Sequence, residues 1–129
     1  MISKVFLGLM AAVFIPYGLY CLVEPDMLSG AAGLTANSTT GTIELQAMYG
    51  GLQTAVGVMC LLGVFRPQLA EAAMLALLFI FAGLAVVRVS LGLSQADFSG
   101  YTVFAMSFET VSLLFLVWYV FLRRDPSAA

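Results

Sequence analysis

The chain contains no histidine. That absence removes the usual haem ligand, the commonest metal ligand and the side chain best suited to acid–base work near neutral pH. Cysteine is nearly as scarce. Cys21 and Cys60 are the whole complement and no C-x-x-C spacing occurs, so neither a zinc site nor paired-thiol redox chemistry is expected. Charge is the third shortage. Charged residues make up 9% of the 129 positions, against about a quarter in an ordinary soluble domain. The basic residues are scattered and the net charge is −2, which excludes a nucleic-acid footprint. No cofactor, no metal and no catalytic residue set is predicted, and an enzyme is the less favoured reading.

What the chain has is apolar surface. Hydrophobic residues make up 62% of it, more than a soluble fold of this size can hide, so lipid is the expected solvent. Crossing a bilayer as a helix takes about 20 mostly apolar residues. Four segments qualify: about 5–23, between Lys4 and Glu24; 43–65, closed by Arg66-Pro67; 69–93; and 98–122, closed by Arg123-Arg124. The predicted fold is all-α, an integral membrane four-helix bundle forming a single transmembrane domain over 1–129, with an outer loop at 24–42. The first segment outruns the roughly 7–15 residues of a signal-peptide core and no A-x-A site follows, so it is read as a retained helix. Within the loop, Glu24-Pro25-Asp26 predicts the start of a short interfacial helix ending near Gly30 or Gly33. Asn37-Ser38-Thr39 matches the glycosylation triplet, a pattern frequent by chance.

Charge also predicts orientation. Lys4, Arg66, Arg123 and Arg124 fall on the amino-terminal side of the membrane, whereas the opposite loops carry only Glu24, Asp26 and Asp97. Positive residues beside short loops stay in the cytoplasm, so both termini are expected there. Trp118 and Tyr119 then mark the inner interface, and Tyr17, Tyr20 and Tyr101 the outer one. Cys21 and Cys60 are predicted to differ in depth by about 20 Å, beyond the roughly 7 Å Cα separation a disulfide spans. Pro16 is expected to kink the first helix.

Polar residues inside the apolar segments are the candidates for function, because ionisable groups in lipid are costly. These are Glu44, Gln46, Gln53, Arg88 and Glu109, with Tyr49 beside them. All are predicted in the outer half of the membrane. Arg88 is the deepest cation, and unpaired it would cost about 3 kcal/mol or more. Glu109 is its first predicted partner and Glu44 its second. On an unbroken helix Gln46, Tyr49, Gln53 and Cys60 share one face, while Glu44, Ala47, Gly51 and Ala55 share nearly the opposite one. Ala47, Gly51 and Ala55 form a small-residue ladder suited to close helix packing, and Gly50 thins the helix further. Each residue also has a plainer reading. Glu44 suits a helix N-terminus. Gln46 and Gln53 suit interhelical hydrogen bonds. Tyr49 suits a core, and Arg88 suits a structural ion pair with Glu109 or a snorkelling side chain.

The run Glu44-Leu45-Gln46-Ala47-Met48-Tyr49-Gly50-Gly51-Leu52 resembles the bacterial four-helix membrane family known as domain of unknown function 4345. The likeness extends over nearly the whole chain: a first helix, an outer loop containing Glu24-Pro25, the acid-x-x-x-Met-Tyr-Gly-Gly signature, the Arg66-Pro67 linker, Arg88 late in the third helix, and Gly100-Tyr101 opening a fourth helix that holds Glu109. The family pattern often carries arginine where this chain has Gln46, which leaves Arg88 as the one buried cation. The resemblance implies the fold and a bacterial inner membrane location. It implies no activity.

Three functions compete. The first is binding of a lipid or small polar or anionic molecule in an outer-side pocket lined by Glu44, Tyr49, Gln53, Arg88 and Glu109. The second is a structural or accessory subunit, packing through the ladder in a homo-oligomer or a larger membrane complex. The third, less favoured, is a proton-coupled transporter or membrane enzyme using Glu109 or Glu44.

Overall fold

A computed structural model describes residues 1–123; Arg124, one of the predicted inner-side charges, lies outside the described residues. Regular structure among the described residues is entirely helical. The elements are α1 (Ile2–Val23), a short α2 (Met27–Ala32), α3 (Thr39–Phe65), α4 (Pro67–Ser94) and α5 (Gly100–Leu122). All except α2 are long and apolar enough to cross a membrane, at 22, 27, 28 and 23 residues. The chain is all-α, with the four long helices of a multi-pass membrane protein.

Local chemistry explains where the helices begin and end. Hydropathy alone starts the second span at 43, but α3 starts at Thr39 because Ser38 caps it: the Ser38 hydroxyl accepts the Gly41 N–H at 3.1 Å. Ser99 likewise caps α5, so that helix opens at Gly100 rather than at 98. Pro67 occupies the first position of α4, where its missing N–H is no loss. The predicted loop helix forms as α2. It stops at Gly33, whose φ of 68° places it in the left-handed region. There the Leu34 N–H reaches the Leu28 carbonyl at 3.2 Å, satisfying a carbonyl at the helix end.

The chain divides into two compact units, Met1–Ala73 and Met74–Ala129. The first is built on α1 against α3. The buried side of α1 is Ser3, Phe6, Leu7, Met10, Ala11, Phe14, Gly18 and Cys21, spaced three and four apart. Pro16 sits inside α1 without ending it. Cys21 and Cys60 are free thiols, both buried.

Glycines let the two backbones meet. A Cβ at Gly57 would lie 2.8 Å from the Ile15 amide nitrogen, and one at Gly50 would lie 2.6 Å from the Leu22 side chain. A Cβ at Gly18 would run into the Thr54 hydroxyl and lie 2.8 Å from the Gly50 carbonyl oxygen. Such contact substitutes dispersion for a hydrophobic drive that lipid does not supply.

A π-helical segment lies where α3 begins to meet α1. Residues Gln46–Gly51 form a π-helical segment, closed by the Leu52 N–H on the Ala47 carbonyl. Gly50 and Thr54 come closest to α1, with Tyr49 and Gln53 half-buried beside them. Ala47, Gly51 and Ala55 are exposed on this chain, and Gly50 meets α1 closely.

In the second unit, Met74, Leu77 and Phe81 of α4 are fully buried. The buried stripe of α5 is Glu109, Ser112, Leu116 and Tyr119. Side chains carry the pairing here: Phe81 meets Phe108 edge-on at 5.7 Å, and a Cβ at Gly92 would touch the Met106 sulfur. α5 ends in a π-helical turn, Trp118–Leu122, where the Arg123 guanidinium lies 5.0 Å from the Tyr119 ring centre.

Candidate functional site

The polar centre of the second unit is an ion pair. Arg88 Nε donates to both oxygens of Glu109, at 3.0 and 2.9 Å. Helix geometry sets the meeting. Arg88 lies six residues before the end of α4, about 9 Å inside it, and Glu109 nine residues into α5, about 14 Å inside. The two side chains bridge that difference. Their environments are unequal: the Glu109 side chain is 7% exposed and that of Arg88 30%. The carboxylate is the buried anchor and the guanidinium the group with access to the outside.

That access is a cleft of about 460 Å³ in the second unit. Arg88 and Gly92 line it at mid-depth, Leu84 and Val87 toward the apolar end, and Asp97 and Thr102 toward the loop. Leu84 and Val87 are both exposed, so the apolar wall is open to lipid.

The loop end is a fixed anion. The Ser99 backbone N–H donates to Asp97 Oδ1 at 3.0 Å and the Thr102 hydroxyl donates to Oδ2 at 2.7 Å. The Thr102 hydroxyl, then the Ser99 amide, hold the Asp97 carboxyl below its ordinary pKa. The loop is closed by the Asp97 N–H on the Gly92 carbonyl at 3.0 Å, across Ala96 at φ 51°.

The predicted site residues divide between the units. Arg88 and Glu109 come together in the second. Glu44, Gln46, Tyr49 and Gln53 belong to the first. Glu44 is exposed near the start of α3, ahead of the segment that meets α1 closely. Gln46 works between helices: its Nε2 donates to the Leu22 carbonyl at 2.7 Å. Leu22 is in the last turn of α1, where carbonyls lack partners within the helix. Gln46→Leu is expected to lower stability by about 1 kcal/mol by orphaning that carbonyl, read as a fall in the thermal midpoint in detergent.

Two features went unread in the sequence. One is the Asp97–Ser99–Thr102 cluster, whose Asp-x-Ser spacing suits a turn closed by the aspartate side chain. The other is Thr54, whose buried hydroxyl has no hydrogen-bond partner among the described residues; a threonine in an apolar helix carries no signal for that.

Comparison with known families gives a match to Domain of unknown function (DUF4345) over residues 2–120. The chain belongs to this family. The match takes in α1, α3, α4, all but the last two residues of α5, both partners of the ion pair and the Asp97 loop. No curated protein and no solved structure matches the chain.

Proposed function

We propose that this DUF4345 protein binds an amphiphile in the cleft of its second unit. The observation that carries the reading is the joint lining by Arg88, backed by buried Glu109, and by the exposed aliphatic side chains of Leu84 and Val87. A polar head contacts the guanidinium while a tail runs along the apolar wall, combining apolar burial with a few placed polar groups. The volume suits a headgroup and the first part of a chain rather than a whole lipid. Glu109 is the fixed counter-ion of Arg88, so a proton-carrying role for it would first have to break that pair.

The setting is a bacterial inner membrane with both termini cytoplasmic. Lys4, Arg66 and Arg123 against Glu24, Asp26 and Asp97 support the cytoplasmic placement of the termini. The cleft then opens toward the outer leaflet.

Native mass spectrometry from a mild detergent tests the binding. Wild type is expected to retain an amphiphile. Val87→Trp, which fills the cleft, and Arg88→Gln/Glu109→Gln, which removes the polar anchor without leaving a lone charge, are expected to lose it. A wild-type protein that never carries an amphiphile, or a Val87→Trp protein that carries it undiminished, overturns the reading.

A second reading, a packing subunit in a homo-oligomer or larger complex, is favoured by the exposed Ala47, Gly51 and Ala55 on α3. It predicts that Gly51→Ile reduces the subunit count in the same spectra.

A further inference from the structure

We infer that the first unit carries a headgroup site of its own, at which Lys4 and Arg66 together hold the phosphate of an anionic phospholipid. The site is separate from the cleft of the second unit and does not rest on the reading of it.

The seam between α1 and α3 brings the two bases together. Along it Leu22 meets Gly50, Gly18 meets Thr54, Ile15 meets Gly57 and Leu7 meets Gly63, so the two helices run antiparallel. A Cβ at Gly8 would lie 4.0 Å from the Val64 side chain. Lys4 is four residues before Gly8 and therefore on the same face of α1, toward α3. Arg66 is two residues past Val64 and caps the end of α3. Measured from the Gly8–Val64 contact, these positions lie about 6 and 3 Å further out. Both bases thus leave the seam at one end, within about 3 Å of each other in level.

Their charge is not matched inside the unit. Both side chains are exposed, and neither is ion-paired among the described residues. Glu24, Asp26 and Glu44 stand at the opposite end of the seam, past the end of α1 and in the first turns of α3. Glu71, early in α4, is the acid at this end, and it forms no ion pair with either base. Two like charges side by side repel, and an anion shared between them turns the repulsion into attraction. A phosphate has acceptor oxygens enough for the Lys4 ammonium and the Arg66 guanidinium at once.

The surroundings select the kind of phosphate. Lys4 and Arg66 stand at the ends of helices long enough to span a bilayer, which is the level of the headgroups. Beside them Val5, Leu9, Leu62 and Phe65 are exposed. A phospholipid sets its phosphate on the bases and its acyl chains on those apolar side chains. Free phosphate or an acidic peptide meets the charges only. The head is anionic as a whole, because a zwitterionic head would bring its own ammonium against two cations.

The test offers purified protein an equimolar mixture of phosphatidylglycerol and phosphatidylcholine with matched chains and reads bound lipid by native mass spectrometry. Phosphatidylglycerol is expected to exceed phosphatidylcholine by roughly tenfold, within what two basic residues at a membrane surface supply. Lys4→Gln alone is expected to lower that ratio about threefold, and Lys4→Gln/Arg66→Gln to bring it near parity. The double variant is expected to keep its thermal midpoint in lipid-free detergent, because both side chains are exposed. Lys4→Arg/Arg66→Lys, which keeps both charges, is expected to retain the preference. Arg123→Gln, which removes one positive charge from the second unit, is expected to leave the ratio unchanged. A double Gln variant with its preference intact overturns the site. So does an Arg123→Gln loss as large as that of Lys4→Gln, since net charge alone would then set the preference. Excess inorganic phosphate is expected not to displace the lipid, and displacement by it overturns the lipid part. These outcomes concern the first unit and leave the cleft reading standing.

Discussion

Arg88→Gln alone is expected to lower the free energy of unfolding by about 3 kcal/mol, because it strands a carboxylate at 7% exposure among apolar side chains. The asymmetry of the pair sets this size. Forming a buried ion pair contributes little, since desolvation offsets attraction. Removing one partner leaves the desolvation uncompensated. Arg88→Gln/Glu109→Gln, which removes both charges and leaves two amides able to bond each other, is expected to recover most of the loss. Denaturant titrations in bicelles on wild type, both single variants and the double variant close the cycle. A single-variant loss under about 1 kcal/mol would place the pair among solvent-screened surface bridges and deny Glu109 its anchoring role.

Gly18→Val is expected to cost about 3 kcal/mol, the upper part of the usual overpacking range. The reason is the kind of atom in the way. A Cβ at Gly18 lies 2.5 Å from the Thr54 amide nitrogen and 2.8 Å from the Gly50 carbonyl oxygen, and backbone atoms cannot rotate aside. Thr54→Ala in the same protein is expected to rescue little, because it removes only the hydroxyl. Gly83→Ala is the control. No atom lies within 4 Å of its Cβ position, so it is expected to be neutral or to gain up to about 1 kcal/mol in helix propensity. Thermal unfolding in one detergent compares all three. Equal losses at Gly18 and Gly83 would mean that α1 and α3 do not depend on this close approach.

Particular residues separate what was legible from what was not. Arg88 and Glu109 were readable as partners because helix rise converts position into depth, and a cation placed in lipid needs an anion at a similar level. Gln46 was readable as a polar residue inside a helix, but not its partner: the Leu22 carbonyl is a backbone group with no side-chain signature. That Gly50 and Thr54 come closest to α1 was not readable, because a glycine and a threonine in an apolar run name no partner helix. The π-helical bonding of Gln46–Gly51 was not readable either: the Gly50-Gly51 pair marks a weak place in the helix without specifying which hydrogen bonds replace the α ladder. Ala47, Gly51 and Ala55 were readable as a face nearly opposite Gln46, and they are exposed while Gln46 bonds to α1.

By itself the sequence determined the solvent, the number of long helices and the family, because bilayer thickness turns run length into span count and because composition alone excludes a soluble core of this size. Tertiary structure decided the rest: which side of α3 meets α1, what Gln46 holds, and that Asp97, Arg88, Leu84 and Val87 line one cleft. Those outcomes depend on hydrogen bonds and contacts between residues far apart in the chain, whose energies are comparable among several registers until the backbones have met.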